Sequence, residues 1–559
     1  MLGIAVVAYL LVTVAIGLYA STRVHGAKDF MVAGRSLPLY MNFACVFATW
    51  FGAETLLSIS ATFTRDGLVG ISGDPFGAAT CLILVALLFA RAFYRMELLT
   101  IGDFYRKRFG TAVETFTAAV ITLSYLGWTS AQMTALGLVL HVLADGAFGP
   151  GTLSLNQGIL VGATIVVVYT ILGGMWSVAL TDLIQTTVII IGLVMIAGLL
   201  AGQAGGASVV IEHAWENDKL RLFPTGDWRQ WLLFIGPFLT LALGSIPQQD
   251  VFQRVTSARD ERTAVRGTLL GGMFYFAFAF VPMFIAYSAI LIEPSLTALF
   301  DNDDERTIQQ ILPQLILQRT PFWAQVIFFG ALLSAILSTA SGTLLAPSSL
   351  FTENVLRPFF PRLIEKNMLL VLRVVLLLFA VGATRYAVTS NATMYEMVQG
   401  AYSVPLVGAF IPLAMGIYWR PATTQGAIVS IASGISVWLI CLYRFGDEAL
   451  VPPQLVGLVA SLIGMLVGSL TPQLIASVPS FDPLHPDHLR HDPLMEIDDP
   501  ATEYGHWYLH KPSQGQRNKR HPPAGGSSIS EGRAASSSSK STTAPAPQGR
   551  MAHTIALKT

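Results

Sequence analysis

The sequence predicts an all-α polytopic membrane protein, and three observations carry that prediction. Apolar residues make up 53% of the 559 residues and charged residues only 12%, against roughly a quarter charged in soluble domains. Hydrophobic runs of about 20 residues, the length that carries a helix across a bilayer, recur from Met1 to near Leu470. One of them, "GALLSAILSTASGTLLAPSSL" at Gly330–Leu350, is long enough to span and is studded with small and hydroxyl side chains.

In chain order the apolar runs predict about thirteen spans. They are Leu2–Ala20, Leu39–Phe63, Ile71–Phe93, Thr111–Leu143, Gln157–Ile171, Leu180–Leu200 and Trp231–Ile246, then Ala264–Ile292, Phe322–Leu350, Leu369–Val388, Tyr395–Tyr418, Gln425–Tyr443 and Pro453–Leu470. The first run has no basic region before it and no cleavage signal, so it reads as a retained helix. Thr111–Leu143 exceeds one untilted crossing and must tilt or protrude.

Basic residues gather in alternate loops: Arg23, Lys28 and Arg35; Arg95, Arg106, Lys107 and Arg108; Arg254, Arg259, Arg262 and Arg266; Arg357, Arg362 and Lys366. The positive-inside rule then puts the N-terminus outside and the C-terminus in the cytoplasm, as an odd span count requires. Residues 1–472 form the membrane domain. Residues 473–559, rich in Ser, Pro and Gly toward the end, read as a largely disordered cytoplasmic tail. His485, Asp487, His488 and His491 lie in that tail, where a solvated cluster is a better reading than a metal site.

Two spans carry helix-weakening residues at membrane depth. "FATWFGAET" places Gly52 and Glu54 mid-span, and "FIGPFLTLALGSIPQQD" contains Gly236, Pro237, Gly244 and Pro247. With Leu2–Ala20 set aside as an extra helix, these are core helices one and six. Breaks at matching positions in two halves point to an inverted-repeat transporter with its site at the midplane, although such residues also merely kink membrane helices. An intramembrane carboxylate such as Glu54 faces a cavity or a partner; Asp182 is similar or else interfacial. In Gly330–Leu350, Ala335, Ser338 and Thr339 share one helix face. Their oxygens suit a hard cation, while Ala331, Ala335 and Thr339 at four-residue spacing suit close helix packing.

Other chemistries find no support. Cys45, Cys81 and Cys441 all sit in apolar runs and offer no disulfide framework or CxxC site. No P-loop or Gly-rich phosphate cradle occurs, so ATP-driven transport is not expected. The membrane region holds few His, chiefly His141, and no paired nucleophile and base. An enzyme is not expected, nor is any organic cofactor or nucleic-acid partner.

The stretches "DFMVAGRSLP" at Asp29–Pro38, "GGMWSVALTDLIQ" at Gly173–Gln185, "FQRVTSARDERTA" at Phe252–Ala264 and "AILSTASGTLLAPSS" at Ala335–Ser349 resemble the sodium:solute symporter family. "FATWFG" and "SIPQQDVFQRV" are most similar to its high-affinity choline branch. The resemblance implies a LeuT-like inverted-repeat fold and Na+ as coupling ion. It implies sodium ligands in the carbonyls of Ala48, Phe51 and Ala335 and the hydroxyls of Ser338 and Thr339. Asp182, with Thr339 beside it, matches a position linked to a second sodium or to the exit path.

The choline branch binds its quaternary ammonium in an aromatic box. Trp50 and Trp128 match two members of that box, whereas Gln248 and Ala78 stand where Trp and Tyr are expected. Glu54 matches a substrate-binding acid of the sugar branch, and Asp250 adds a polar contact. Trp50, Glu54, Trp128 and Gln248 are therefore the expected substrate residues, favouring a small polar or amine-bearing solute over choline. In the rival reading Glu54 pairs with a neighbouring backbone donor and never meets the solute. The expected function is sodium-coupled symport by alternating access, in a bilayer taken to be a bacterial inner membrane. The alternative is a receptor that keeps the symporter fold and signals without net transport. Oligomeric state is not legible.

Overall fold

The computed structural model describes residues 2–22, 27–149, 151–301, 305–446 and 449–476. All of these lie in one compact unit, Met1–Ala501; a second unit, Thr502–Thr559, and the histidine cluster of the tail fall outside the described residues. The described chain is helical throughout, with one isolated bridge between Leu37 and Ala258. Among the described residues, nine helices are long and apolar enough to cross a membrane, or up to eleven if each of two bent pairs is one span.

We number the main helices α1 (Leu2–Ser21), α2 (Leu39–Trp50), α3 (Glu54–Asp66), α4 (Leu68–Arg95), α5 (Ile101–Phe109), α6 (Thr111–Phe148), α7 (Leu155–Gln203) and α8 (Trp228–Gly244). There follow α9 (Gln249–Thr256), α10 (Glu261–Ile292), α11 (Phe322–Phe351), α12 (Pro361–Thr389), α13 (Met394–Tyr418), α14 (Thr424–Phe445) and α15 (Pro453–Leu470). The runs expected at Gln157–Ile171 and Leu180–Leu200 are the two parts of α7, which kinks at Gly174, where φ is 53°.

Both expected breaks are present. α2 and α3 meet at a bend of 56°, and α8 and α9 at 46°. The second break is narrower than the sequence suggested: Gly236 and Pro237 stay inside α8, and the helix stops only at Gly244. The first turn after the break in α2 is a π-helix, Glu54–Ile59, a form that often marks functional positions.

α9 corrects the loop reading. Gln249, Asp250, Gln253 and Arg254 are polar enough to pass for a cytoplasmic loop, yet every residue of this helix is buried. Arg254 is only 2% exposed and does not belong with the basic residues of a solvent loop. The core gathers around α11, whose residues from Phe328 to Leu350 are all buried against neighbouring helices. Such a polar, all-buried centre is tolerable in lipid because other helices, not hydrocarbon, surround it.

Candidate functional site

At the break between α2 and α3 the freed backbone groups find side-chain partners, as an interruption inside a membrane requires. Gln132 of α6 accepts a hydrogen bond from the Ala53 N–H at 3.2 Å, and the Thr55 hydroxyl oxygen lies 3.4 Å from the Trp50 carbonyl. Phe51 has left helical geometry, with φ −87° and ψ 70°. At the other break, α13 comes so close that a Cβ on Gly244 would lie 2.3 Å from the Tyr402 carbonyl oxygen. Only glycine fits there.

Below the first break, three helices bring oxygens together. The Thr339 hydroxyl of α11 donates to the Ala48 carbonyl of α2 at 3.2 Å, and the Ser338 hydroxyl oxygen lies 3.4 Å from the same carbonyl. Ser338 also bonds to Asp182 Oδ1 on α7. Asp182 is fully buried, and its Oδ2 has no partner. The sequence put Thr339 beside Asp182; the bond is made by Ser338 instead. Cys45, one turn before Thr49 on α2, is buried and turns its thiol to Asp182. Ala335 lies buried one turn before Thr339 on α11, and Phe51 is buried at the end of α2.

Beside the break stands an aromatic cluster from four helices. Trp50 of α2 lies nearly parallel to Tyr402 of α13, at 5.8 Å between centroids and 6° between planes. Trp128 of α6 approaches Tyr402 at 5.4 Å and Trp50 at 6.1 Å. Tyr125 of α6 stacks on Trp128 at 6.1 Å, and Tyr275 of α10 meets Trp50 edge-on at 6.4 Å. The structure thus brings Trp50 and Trp128 together as expected. It adds three tyrosines that the sequence reading missed.

Three buried carboxylates border these rings. Glu54 accepts from Trp128 Nε1 at 3.0 Å and from Gln132 Nε2 at 2.6 Å, so both of its oxygens are engaged within the protein. Asp74 of α4 accepts from the Tyr275 hydroxyl on one oxygen and from Thr55 at 3.0 Å on the other. Asp250 of α9 accepts from the Tyr125 hydroxyl on Oδ1, while Oδ2 has no partner. The Tyr125 hydroxyl in turn accepts the Asp250 N–H at 2.9 Å, satisfying one of the free donors at the start of α9. Gln248 donates to Ser124 at 3.0 Å, and its Oε1 is unpartnered.

Arg254 lies between the two groups. Its Nε donates to the Thr49 hydroxyl at 2.7 Å, while Nη1 and Nη2 have no partner. A Cβ on Gly342 of α11 would stand 2.6 Å from Nη2. The charge acts on both Asp182 and Asp250, although neither forms an ion pair with it. The sequence signal for this arrangement was Asp250 and Arg254 at four-residue spacing just after Pro247, one face of a short helix.

Among the described residues no group of three or more His, Cys, Asp or Glu could hold a metal by itself. The oxygen cluster at Ala48 is a mixed carbonyl and hydroxyl set of another kind. Cys45 and Cys81 are buried free thiols, and Cys441 is a half-buried one.

Comparison with known proteins places this geometry. The chain is 26% identical over 474 residues to the high-affinity choline transporter 1 of Caenorhabditis elegans, across 81% of this chain and 79% of the relative. It is 24% identical over 505 residues to the osmoregulated proline transporter of Bacillus subtilis (strain 168), across 83% of this chain and 94% of the relative. In fold it is similar to a substrate-bound, outward-open Na+-coupled sialic acid symporter, with a TM-score of 0.70 at 21% identity, over 85% of this chain and 98% of that one. These relatives are transporters, which lends the receptor alternative no support. The profile of the sodium:solute symporter family matches residues 30–434, and the chain belongs to that family: it is a membrane transport protein and not an enzyme.

Proposed function

We propose that the protein is a secondary active symporter that couples downhill sodium entry to uptake of a small polar organic solute. Sodium binds at Ala48, Phe51, Ala335, Ser338 and Thr339. The solute binds beside the break, among Trp50, Trp128 and Gln248, with Glu54 fixed at the rim of the site by its two protein donors. Asp182 serves a second cation or the exit path.

The observation that carries this reading is the convergence of Ser338 and Thr339 on the Ala48 carbonyl, at 3.4 and 3.2 Å. Hydroxyl hydrogen bonds are typically shorter, near 2.7–2.8 Å. Oxygens that share a cation of calcium-like radius, each about 2.4 Å from it at right angles, lie about 3.4 Å apart. The donor set is also hard and neutral, which suits a monovalent ion. It sits at the C-terminal end of α2, where the helix dipole is negative, as at half-helix ends that bind Na+ in broken-helix transporters.

The driving force is adequate. Moving one charge through 100 mV yields about 2.3 kcal/mol, and a tenfold sodium gradient adds about 1.4 kcal/mol. Together they support roughly 500-fold accumulation per sodium. The two bent pairs, α2–α3 and α8–α9, enclose the site and let the bundle open to either side in turn. In this reading the chain crosses a cell membrane thirteen times, with its N-terminus outside. Uptake into proteoliposomes tests the proposal: an imposed sodium gradient should drive solute entry, and entry without sodium dependence would overturn it.

A further inference from the structure

Of the three acids beside the aromatic cluster, only Asp250 keeps a bare oxygen. Glu54 is saturated by Trp128 and Gln132, and Asp74 by Tyr275 and Thr55. Asp250 Oδ2 has no partner, and neither do Gln248 Oε1 and the Tyr402 hydroxyl. All three residues are 1% exposed. They also belong together: Tyr125 joins Asp250 to the Trp128 ring, Tyr402 packs on that same ring, and Asp250 acts electrostatically on Tyr402. Buried acceptors left without donors are rare, because each loses its water and gains nothing in return.

We infer that Asp250, with Gln248 and Tyr402, selects a solute whose ammonium group carries N–H bonds, a primary, secondary or tertiary amine, in preference to a quaternary ammonium. The inference rests on the symport reading and names the substrate class of that site. Aromatic faces attract any organic cation, so Trp50, Trp128 and Tyr402 alone do not discriminate by methylation. The bare acceptors do. A primary ammonium can donate to all three, whereas a tetra-alkylated nitrogen covers them with methyl groups and leaves them unpaired. The rings are packed face to face, so the solute enters by parting Tyr402 from Trp50. Arg254, one helical turn from Asp250, is the competing cation: if it closed onto Oδ2, the acid would be silent toward the solute.

The test is a methylation series on one skeleton: 2-aminoethanol, its N-methyl and N,N-dimethyl derivatives, and choline. Binding to the full-length protein in nanodiscs is read by tryptophan fluorescence, with and without sodium. The expected result is progressively weaker binding, with the final methyl, which removes the last N–H, weakening it about tenfold or more. Asp250→Asn should flatten the series to within about threefold. Tyr402→Phe, which keeps the ring, should narrow it a few-fold. Choline binding as tightly as 2-aminoethanol overturns the inference. So does a series undisturbed in both variants, and so does a lack of binding by all four amines while sodium still changes the fluorescence. An intact series with no response to sodium supports the inference and tells against the symport reading instead.

Discussion

Ser338 on α11 and Asp182 on α7 lie 156 residues apart in the chain and share a hydrogen bond at the centre of the bundle. The same hydroxyl reaches the Ala48 carbonyl. One side chain therefore touches both the oxygen cluster at the end of α2 and a buried carboxylate.

If those oxygens bind sodium, Ser338→Ala and Thr339→Ala each remove one ligand without altering the backbone. Each variant should reach the membrane and need about tenfold more sodium for half-maximal uptake, the loss expected for one ion–oxygen contact of about 1.4 kcal/mol. Uptake measured against sodium concentration checks this. Unchanged curves for both would make this face of α11 a packing surface only.

Asp182→Asn should affect coupling more than solute affinity. The Ser338 hydroxyl reaches both this carboxylate and the Ala48 carbonyl, so if a cation is held at the cluster the charge on Asp182 acts on it at close range. With sodium saturating, solute binding should stay within about threefold of wild type, while the ratio of sodium to solute moved per cycle falls. Parallel sodium and solute flux measurements distinguish this from a structural carboxylate, for which the ratio would not change.

Glu54 is held by two donors, so Glu54→Gln sets an amide NH2 against Trp128 Nε1 or Gln132 Nε2. The expected effect is a loss of stability of about 1–3 kcal/mol, seen as a lower thermal midpoint in detergent. The preference between 2-aminoethanol and choline should be kept. A changed preference at unchanged stability would return Glu54 to the solute site.

Gly244→Ala places a methyl 2.3 Å from the Tyr402 carbonyl oxygen. Overpacking of that kind typically costs about 1–3 kcal/mol, and here it pushes α13 away from α8. Solute binding should weaken because Tyr402 moves with its helix. Binding titrations on folded, monodisperse variant protein check this, and wild-type affinity would refute it.

Much of this was readable from the sequence because it depends on local pattern. Apolar runs mark helices in lipid, and Ala335, Ser338 and Thr339 fall on one face by helical spacing alone. The break before Glu54 followed from "WFGAE". What escaped depends on contacts between distant segments. Tyr125, Tyr275 and Tyr402 come from three helices and no spacing rule links them to Trp50. α9 was hidden for a different reason: Gln249, Asp250, Gln253 and Arg254 have the composition of a loop, and only enclosure by α2, α4, α10 and α11 makes a buried helix of them. Glu54 appeared to be the free acid because its partners, Trp128 and Gln132, lie more than seventy residues away.

The burial of Cys45 beside Asp182 gives the protein a native chemical clock. A thiol enclosed on every side is alkylated only during excursions that uncover it, so its reaction rate scales with how often the helices around it part. With Cys81 and Cys441 replaced by serine, mass-spectrometric timing of maleimide attachment at Cys45 would report that frequency without an added label. Ligands that hold the bundle shut would lengthen the reaction half-time, and ligands that open it would shorten it.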